Sequence, residues 1–313
     1  MKNFIGLLAF WVITYTCSAQ NYQYTFNIPG DSTYNCYLTV TPKGNIKGLL
    51  VRDYSKLPDI SKKSPYQWEH IALDSGLMVL YTATTKTYPE LYLYDEPMAL
   101  LDNLINEVVT KHNIPKNKIV IGGSSSSGTR AVRYTQYCEQ GKSKNGIKIA
   151  GVFGVDPPLD NERFYLSSKQ ILDKGLGKGY QDEAKMIMAF YKKHIGGSPR
   201  KKRFYKVYVS TSAYTDSHIE GGNAKWLKNV PIRLYHEPDI DWWLIERNES
   251  YIHTNSPDIA GLINTLQVMG NNQAELITTT GKGYLRDGTR HPHSWTIVNE
   301  PDLINWVMKV LGY

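Results

Sequence analysis

The chain has 313 residues, 41% of them hydrophobic and 12% aromatic, which excludes a disordered, collagen-like or coiled-coil protein and suits one large core. Its 36 Lys and Arg against 29 Asp and Glu give a net charge of +7, or +6 without Lys2, the only charge among the first 19 residues. The two short basic runs, Lys62-Lys63 and Arg200-Lys201-Lys202-Arg203, read as solvated loops, so no nucleic-acid partner is expected.

Met1-Lys2-Asn3 is a short positive start, residues 4–13 are apolar, and Thr16-Cys17-Ser18-Ala19 ends in small residues. This is the pattern of a secretory signal peptide cut after Ala19, because an apolar run of ~10 residues is too short to span a bilayer. The mature protein, residues 20–313, is expected to be secreted or periplasmic. A lipid anchor on Cys17 is the lesser alternative, since Thr14-Tyr15-Thr16 is a poor context for it. No later stretch is apolar enough for a transmembrane helix. Of the remaining cysteines, Cys36 falls on the apolar face of an alternating segment and Cys138 ends a helical pattern. Both read as buried small hydrophobes rather than as a bridge.

Residues 22–28 and 34–40 alternate with period two around Pro29-Gly30-Asp31-Ser32, which predicts a hairpin. A turn at 41–45 leads to a third strand at 48–51. Residues 77–81 form a continuous apolar strand, and 97–111 carry apolar residues at helical spacing. Strand 118–121, helix 130–137 and strand 151–155 follow. Residues 160–216 are too long for a simple crossover and contain helical patterns at 162–172 and 182–194, followed by an apolar stretch at 206–209. They read as a helical, lid-like insertion over the carboxyl edge of the sheet. Strands at 231–235 and 275–278 and a helix at 303–311 close the chain. Short apolar runs separated by helices predict a mostly parallel, doubly wound α/β sheet, here with an antiparallel N-terminal hairpin.

Between strand and helix lies Gly122-Gly123-Ser124-Ser125-Ser126-Ser127-Gly128. A sharp strand-to-helix turn admits only small residues two positions before and after its apex, and it pushes the apex side chain into the open above the strand ends. Gly123 and Ser127 meet that demand around Ser125; the rival register places Ser126 at the apex. A serine hydroxyl needs a base to take its proton, and the base needs a group to hold its tautomer. Carboxylates follow strand 231–235, in Glu237, Asp239 and Asp241; imidazoles follow strand 275–278, at His291 and His293. Asp156, ahead of Pro157-Pro158, ends an earlier strand and reads as a structural turn or as another position for the acid.

With these features the chain resembles the α/β-hydrolase superfamily over essentially its whole mature length. The resemblance implies a serine hydrolase acting on carboxylic esters, small or polymer-borne, through an acyl-enzyme. Carried across by position, Ser125 is the nucleophile, Asp239 the orienting acid and His293 the general base, with Ser126, Asp241 and His291 as second choices. The backbone N–H of Ser126 is expected to bind the oxyanion, joined by one near Tyr54 or Ser55. Two departures stand out: the family motif G-x-S-x-G ends here in Ser127, and Arg52-Asp53-Tyr54-Ser55 replaces a glycine-rich oxyanion loop. Trp242, Trp243 and Trp295 are expected to line a pocket or to plug the core below it. A peptidase of the same fold and a non-catalytic binding protein on a hydrolase scaffold are the alternatives. No zinc-ligand spacing, P-loop or dinucleotide fingerprint occurs, so no metal or cofactor is expected.

Overall fold

The computed structural model of the protein describes residues 21–62, 66–86, 89–177 and 180–313. The signal-peptide and Cys17 expectations lie outside these residues, as does Lys63.

Eight strands form one sheet in the order β1-β2-β4-β3-β5-β6-β7-β8. The hairpin pairs β1 (Asn21–Phe26) with β2 (Cys36–Thr41), Tyr22 opposite Val40, and β2 runs antiparallel to β4 (Leu77–Ala83). From β4 onward every pair is parallel: β3 (Gly48–Tyr54), β5 (Ile119–Ser124), β6 (Ile149–Val155), β7 (Ile232–His236) and β8 (Ala274–Thr278). This is the mostly parallel α/β architecture the apolar runs predict.

The runs are continuous because both faces are covered. Leu49, Val51, Ile119 and Ile121 pack under α2 (Asp95–Lys111), α3 (Ser126–Glu139) and α8 (Ser256–Val268). The intervening Leu50, Val79 and Val120 pack on the other side, with α1 (Trp68–Asp74) and α9 (Glu300–Val310). Successive strand residues point to opposite faces, so a strand buried twice needs apolar residues at both parities. Cys36 and Cys138 are both buried free thiols, and burial raises the pKa of each.

Residues 160–216 hold three helices, α4 (Asn161–Lys174), α5 (Gln181–His194) and α6 (Lys202–Thr211), the last covering the apolar stretch at 206–209. Asp160 starts α4 by accepting hydrogen bonds from the N–H groups of Glu162 (2.8 Å) and Arg163 (3.2 Å), and Gly175 ends it in the left-handed region at φ 63°. Tyr165, Tyr191, Tyr208, Ile187 and Phe190 give these helices a small core of their own beside the main one.

Candidate active site

The strand-to-helix turn at Ser125 is the strained point of the sheet's carboxyl edge. β5 ends at Ser124, α3 begins at Ser126, and Ser125 between them holds φ 52°, ψ −132°. A non-glycine residue in that region costs of order 1–3 kcal/mol and persists only where its surroundings enforce it. Here the Ser125 N–H donates to the Val155 carbonyl (2.9 Å) and the Ser125 carbonyl accepts from the Thr129 N–H (3.1 Å). The Ser127 hydroxyl donates to the Asp53 carbonyl, tying the turn to the end of β3. Ser126 is the first helical residue and contributes an unpaired-type N–H of a helix N-terminus.

The small residues around the apex have a steric cause. A Cβ on Gly123 would lie 2.3 Å from Ser127 Oγ and 2.6 Å from the Ser127 carbonyl carbon; one on Gly128 would lie 2.9 Å from the Gly123 carbonyl oxygen. Backbone on both sides of the turn leaves no room to relax. Gly123→Ala is therefore expected to destabilise the protein by about 2 kcal/mol or more, read as a lowered urea midpoint at unchanged m-value. An unchanged midpoint would show that the turn is looser than these distances.

The carboxylate that meets His293 comes from a strand end other than the one expected to supply the acid. Asp156 follows β6, is buried, and sits at φ 48°. Its carboxylate accepts from His293 Nδ1 (2.5 Å) through one oxygen and from His236 Nδ1 (2.8 Å) through the other. His236 Nε2 in turn lies 2.5 Å from Ser256 Oγ, and Asn255 Nδ2 donates to the Asp156 carbonyl (3.0 Å). Burial by itself would raise the carboxyl pKa, but the charge and hydrogen bonds of the two imidazoles hold it well below the usual carboxylate range. His293 shows the reciprocal effect: burial disfavours its charged form, and the Asp156 carboxylate outweighs that, so its pKa is raised.

Asp239 does not take this place. It caps α7 (Ile240–Arg247), accepting from the Trp242 N–H (3.0 Å), and its other oxygen pairs with Arg290, which also binds Glu237 (2.5 Å). An arginine fork that answers two carboxylates leaves Asp239 committed to holding the loop. Asp241 is exposed in the first turn of α7. His291 lies with its ring 6.1 Å from that of His293, and burial and the neighbouring imidazole lower its pKa.

Ser125 and His293 border one cavity of about 340 Å³, walled by Phe164 and Ile171 of α4, Ile187 of α5, Trp243 and His291. A second recess of about 370 Å³ adjoins it across His291 and His293 and is lined by Trp295, Trp68, Tyr54 and Arg52. The three tryptophans thus separate: Trp243 lines the cavity and Trp295 the recess. Trp242 instead packs edge-on against Trp243 (5.1 Å) and beside His291 (5.7 Å). A larger hollow of about 650 Å³, between α4 and the start of α8, is bordered by neither Ser125 nor His293.

Tyr54 is turned the wrong way for the oxyanion. Leu49 donates its N–H to Lys118 and Asp53 receives the Ser127 hydroxyl on its carbonyl, so odd positions of β3 face β5 and the turn. Tyr54 belongs to the even set, opposite Ala83 of β4. Ser55, one residue on, lies just past the end of β3. Among the described residues, no group of three or more His, Cys, Asp or Glu side chains is arranged to hold a metal ion, and no helix is long and apolar enough to cross a membrane.

No protein-family model matches the chain, and no curated protein matches it. Solved structures do. Carboxyl esterase 2 from the mycorrhizal fungus Tuber melanosporum superposes with a TM-score of 0.52 at 13% identity, over 88% of this chain and 82% of that one. An S-formylglutathione hydrolase from Agrobacterium tumefaciens gives 0.53 at 10% identity, over 94% and 99%. A prolyl endopeptidase gives 0.55 at 14% identity, over 93% of this chain but 39% of that one. The chain has the α/β-hydrolase fold.

Proposed function

We propose that this protein is a serine hydrolase that cleaves carboxylic esters through an acyl-enzyme, with Ser125 as nucleophile, His293 as base and Asp156 as orienting acid. One observation carries the proposal: a serine held at positive φ between strand and helix shares a cavity with a histidine whose Nδ1 is engaged by a buried carboxylate. That engagement keeps Nε2 unprotonated in the neutral ring, the form that accepts a proton from Oγ. Oγ attacks the ester carbonyl, its proton passes to Nε2, and the developing oxyanion is met by the Ser126 N–H at the head of α3, where the helix dipole favours negative charge. A second donor is assigned to the backbone just after β3, near Ser55. His293 then protonates the departing alkoxide, and water, deprotonated by the same imidazole, releases the acid. Asp156 stays ionised throughout, in keeping with its depressed pKa.

Helices α4 and α5 supply apolar walls to the cavity, which suits a lid over an acyl or aryl group. The two esterase-type neighbours are matched over 82% and 99% of their own length, against 39% for the prolyl endopeptidase, which favours the ester reading.

The test is labelling with a fluorophosphonate. Attachment is expected at Ser125, and its rate is expected to rise with pH through a midpoint above the ordinary histidine value of 6.5, because His293 must lose its proton to act and its pKa is raised. A protein that stays unlabelled, or is labelled elsewhere, is a binding protein on this fold and not the enzyme proposed.

A further inference from the structure

Arg52 is the side chain that the proposed chemistry leaves unexplained. It lies on β3, is 2% exposed, and has its guanidinium carbon 4.3 Å from the Trp295 ring centroid, 4.8 Å from Trp68, 5.4 Å from Tyr54 and 5.8 Å from Phe153. Nη2 donates to the Tyr54 hydroxyl (2.6 Å), whereas Nε and Nη1 are buried with no hydrogen-bond partner among the described residues. Other buried arginines face a charge or a carbonyl: Arg130 is ion-paired with Asp53 (2.9 Å) although its Nε too lacks an aligned hydrogen bond, Arg163 pairs with Asp258 (2.6 Å), and Arg133 donates to main-chain carbonyls such as that of Tyr92 (3.3 Å). The two acids nearest the aromatic cage are spent on other donors. Glu69 accepts from Tyr22 (2.9 Å) and Tyr81; Glu300 accepts from Trp295 Nε1 (2.5 Å) and from the N–H groups of Gln67 (2.7 Å) and Trp68 (3.0 Å).

A buried cation with two orphaned donors is costly, and stacking on aromatic faces offsets only part of that cost. The guanidinium borders the 370 Å³ recess, whose other walls include Ser124, the residue before the turn, and His293. We propose that the Arg52 recess is an anion-recognition subsite that takes a carboxylate carried by the substrate, beside the bond that Ser125 attacks. The role of the bound carboxylate in turnover rests on the esterase reading; its binding does not.

A planar fork of N–H donors matches a carboxylate in two parallel hydrogen bonds. Among the described residues lining the recess Arg52 is the sole lysine or arginine, which fits a single negative charge and disfavours a phosphate dianion. The aromatic walls of Trp68, Trp295 and Tyr66 suit a short aliphatic or aryl spacer between carboxylate and ester. Half-esters of dicarboxylic acids and acyl esters of hydroxybenzoates are the two classes with this layout, the charge on the acyl side in one and on the alcohol side in the other.

The experiment titrates Ser125→Ala protein with monomethyl glutarate and with 4-hydroxybenzoate, each beside its neutral counterpart (dimethyl glutarate and methyl 4-hydroxybenzoate), by calorimetry. At least one carboxylate is expected to bind ten or more times tighter than its ester, and the preferred one assigns the side. Adding Arg52→Met, similar in volume and uncharged, is expected to erase that preference, and Arg52→Lys to leave an intermediate one. Equal binding of acid and ester, or a preference that survives Arg52→Met, overturns the inference. If Arg52→Met does not fold, the comparison in Ser125→Ala alone decides, since that protein keeps the guanidinium. Carboxylate binding by a chain that no fluorophosphonate labels would uphold this subsite and sink the esterase; labelling without carboxylate binding would do the reverse.

Discussion

Ser125→Ala is expected to lower kcat for p-nitrophenyl acetate by about 10⁵-fold or more, while Ser126→Ala stays within about tenfold of the parent. The contrast follows from geometry. Ser125 is the apex residue at φ 52°, and its hydroxyl borders the cavity that His293 also borders. Ser126 has entered the helix, and the proposed chemistry uses only its backbone N–H, which alanine keeps. Alanine at 125 has the same backbone preferences as serine to within a few tenths of a kcal/mol, so the turn persists and the thermal midpoint should scarcely move. Activity surviving in Ser125→Ala, or lost in Ser126→Ala with the fold intact, would move the nucleophile or remove it. Removing the nucleophile is expected to cost about as much as removing the base, because the two act as one unit and without an acceptor for the acyl group neither the base nor the oxyanion donors have a step to accelerate.

The parts of this molecule that could be read in advance are those governed by short-range sterics. Strands β4, β5 and β6 announce themselves because a strand covered on both faces is apolar at every position. The turn announces itself because Gly123 cannot be larger without overlapping Ser127. Helices α1 and α8 were not legible: α1 has seven residues, and α8 carries apolar residues such as Ile259, Leu262 and Ile263 without a clear polar stripe. Which carboxylate meets His293 was not legible for a topological reason. β6 and β7 are parallel neighbours with Val155 opposite Tyr235, so the residues after both strands reach the same rim, and order along the chain does not say which carboxylate meets the imidazole. What decides is loop structure: Asp156 turns back at positive φ under the grip of Asn255, while Arg290, 51 residues away in sequence, claims Asp239. The Asp-Pro-Pro at a buried strand end was the available signal. Arg52 and Asp53 looked like one altered oxyanion loop, yet their side chains serve opposite faces of the sheet. Asp53 is in a buried ion pair with Arg130, and Arg52 is in the aromatic cage.

Asp156→Asn is expected to cost about 10³–10⁴ in kcat, against less than about tenfold for Asp239→Asn. An amide at 156 has one oxygen where the carboxylate has two, yet it faces two imidazoles, His293 and His236, that both present Nδ1. Its NH₂ must meet one of them as donor to donor, which drives that ring to the other tautomer or out of place. If the ring is His293, the proton moves to Nε2 and the base can no longer accept from Oγ. The pH profile separates this from a merely structural loss. The raised pKa of His293 is owed to the Asp156 carboxylate against the opposing pull of burial. With that charge gone, burial and the Arg247 charge disfavour the imidazolium against Glu183 alone, so the acidic limb of residual activity should move to lower pH. At Asp239 the substitution keeps an oxygen to cap α7 and loses only the charge that holds Arg290, so the limb should not move. A larger loss at 239 than at 156, or an acidic limb unmoved by Asp156→Asn, would return the acid to the strand after the helical insertion.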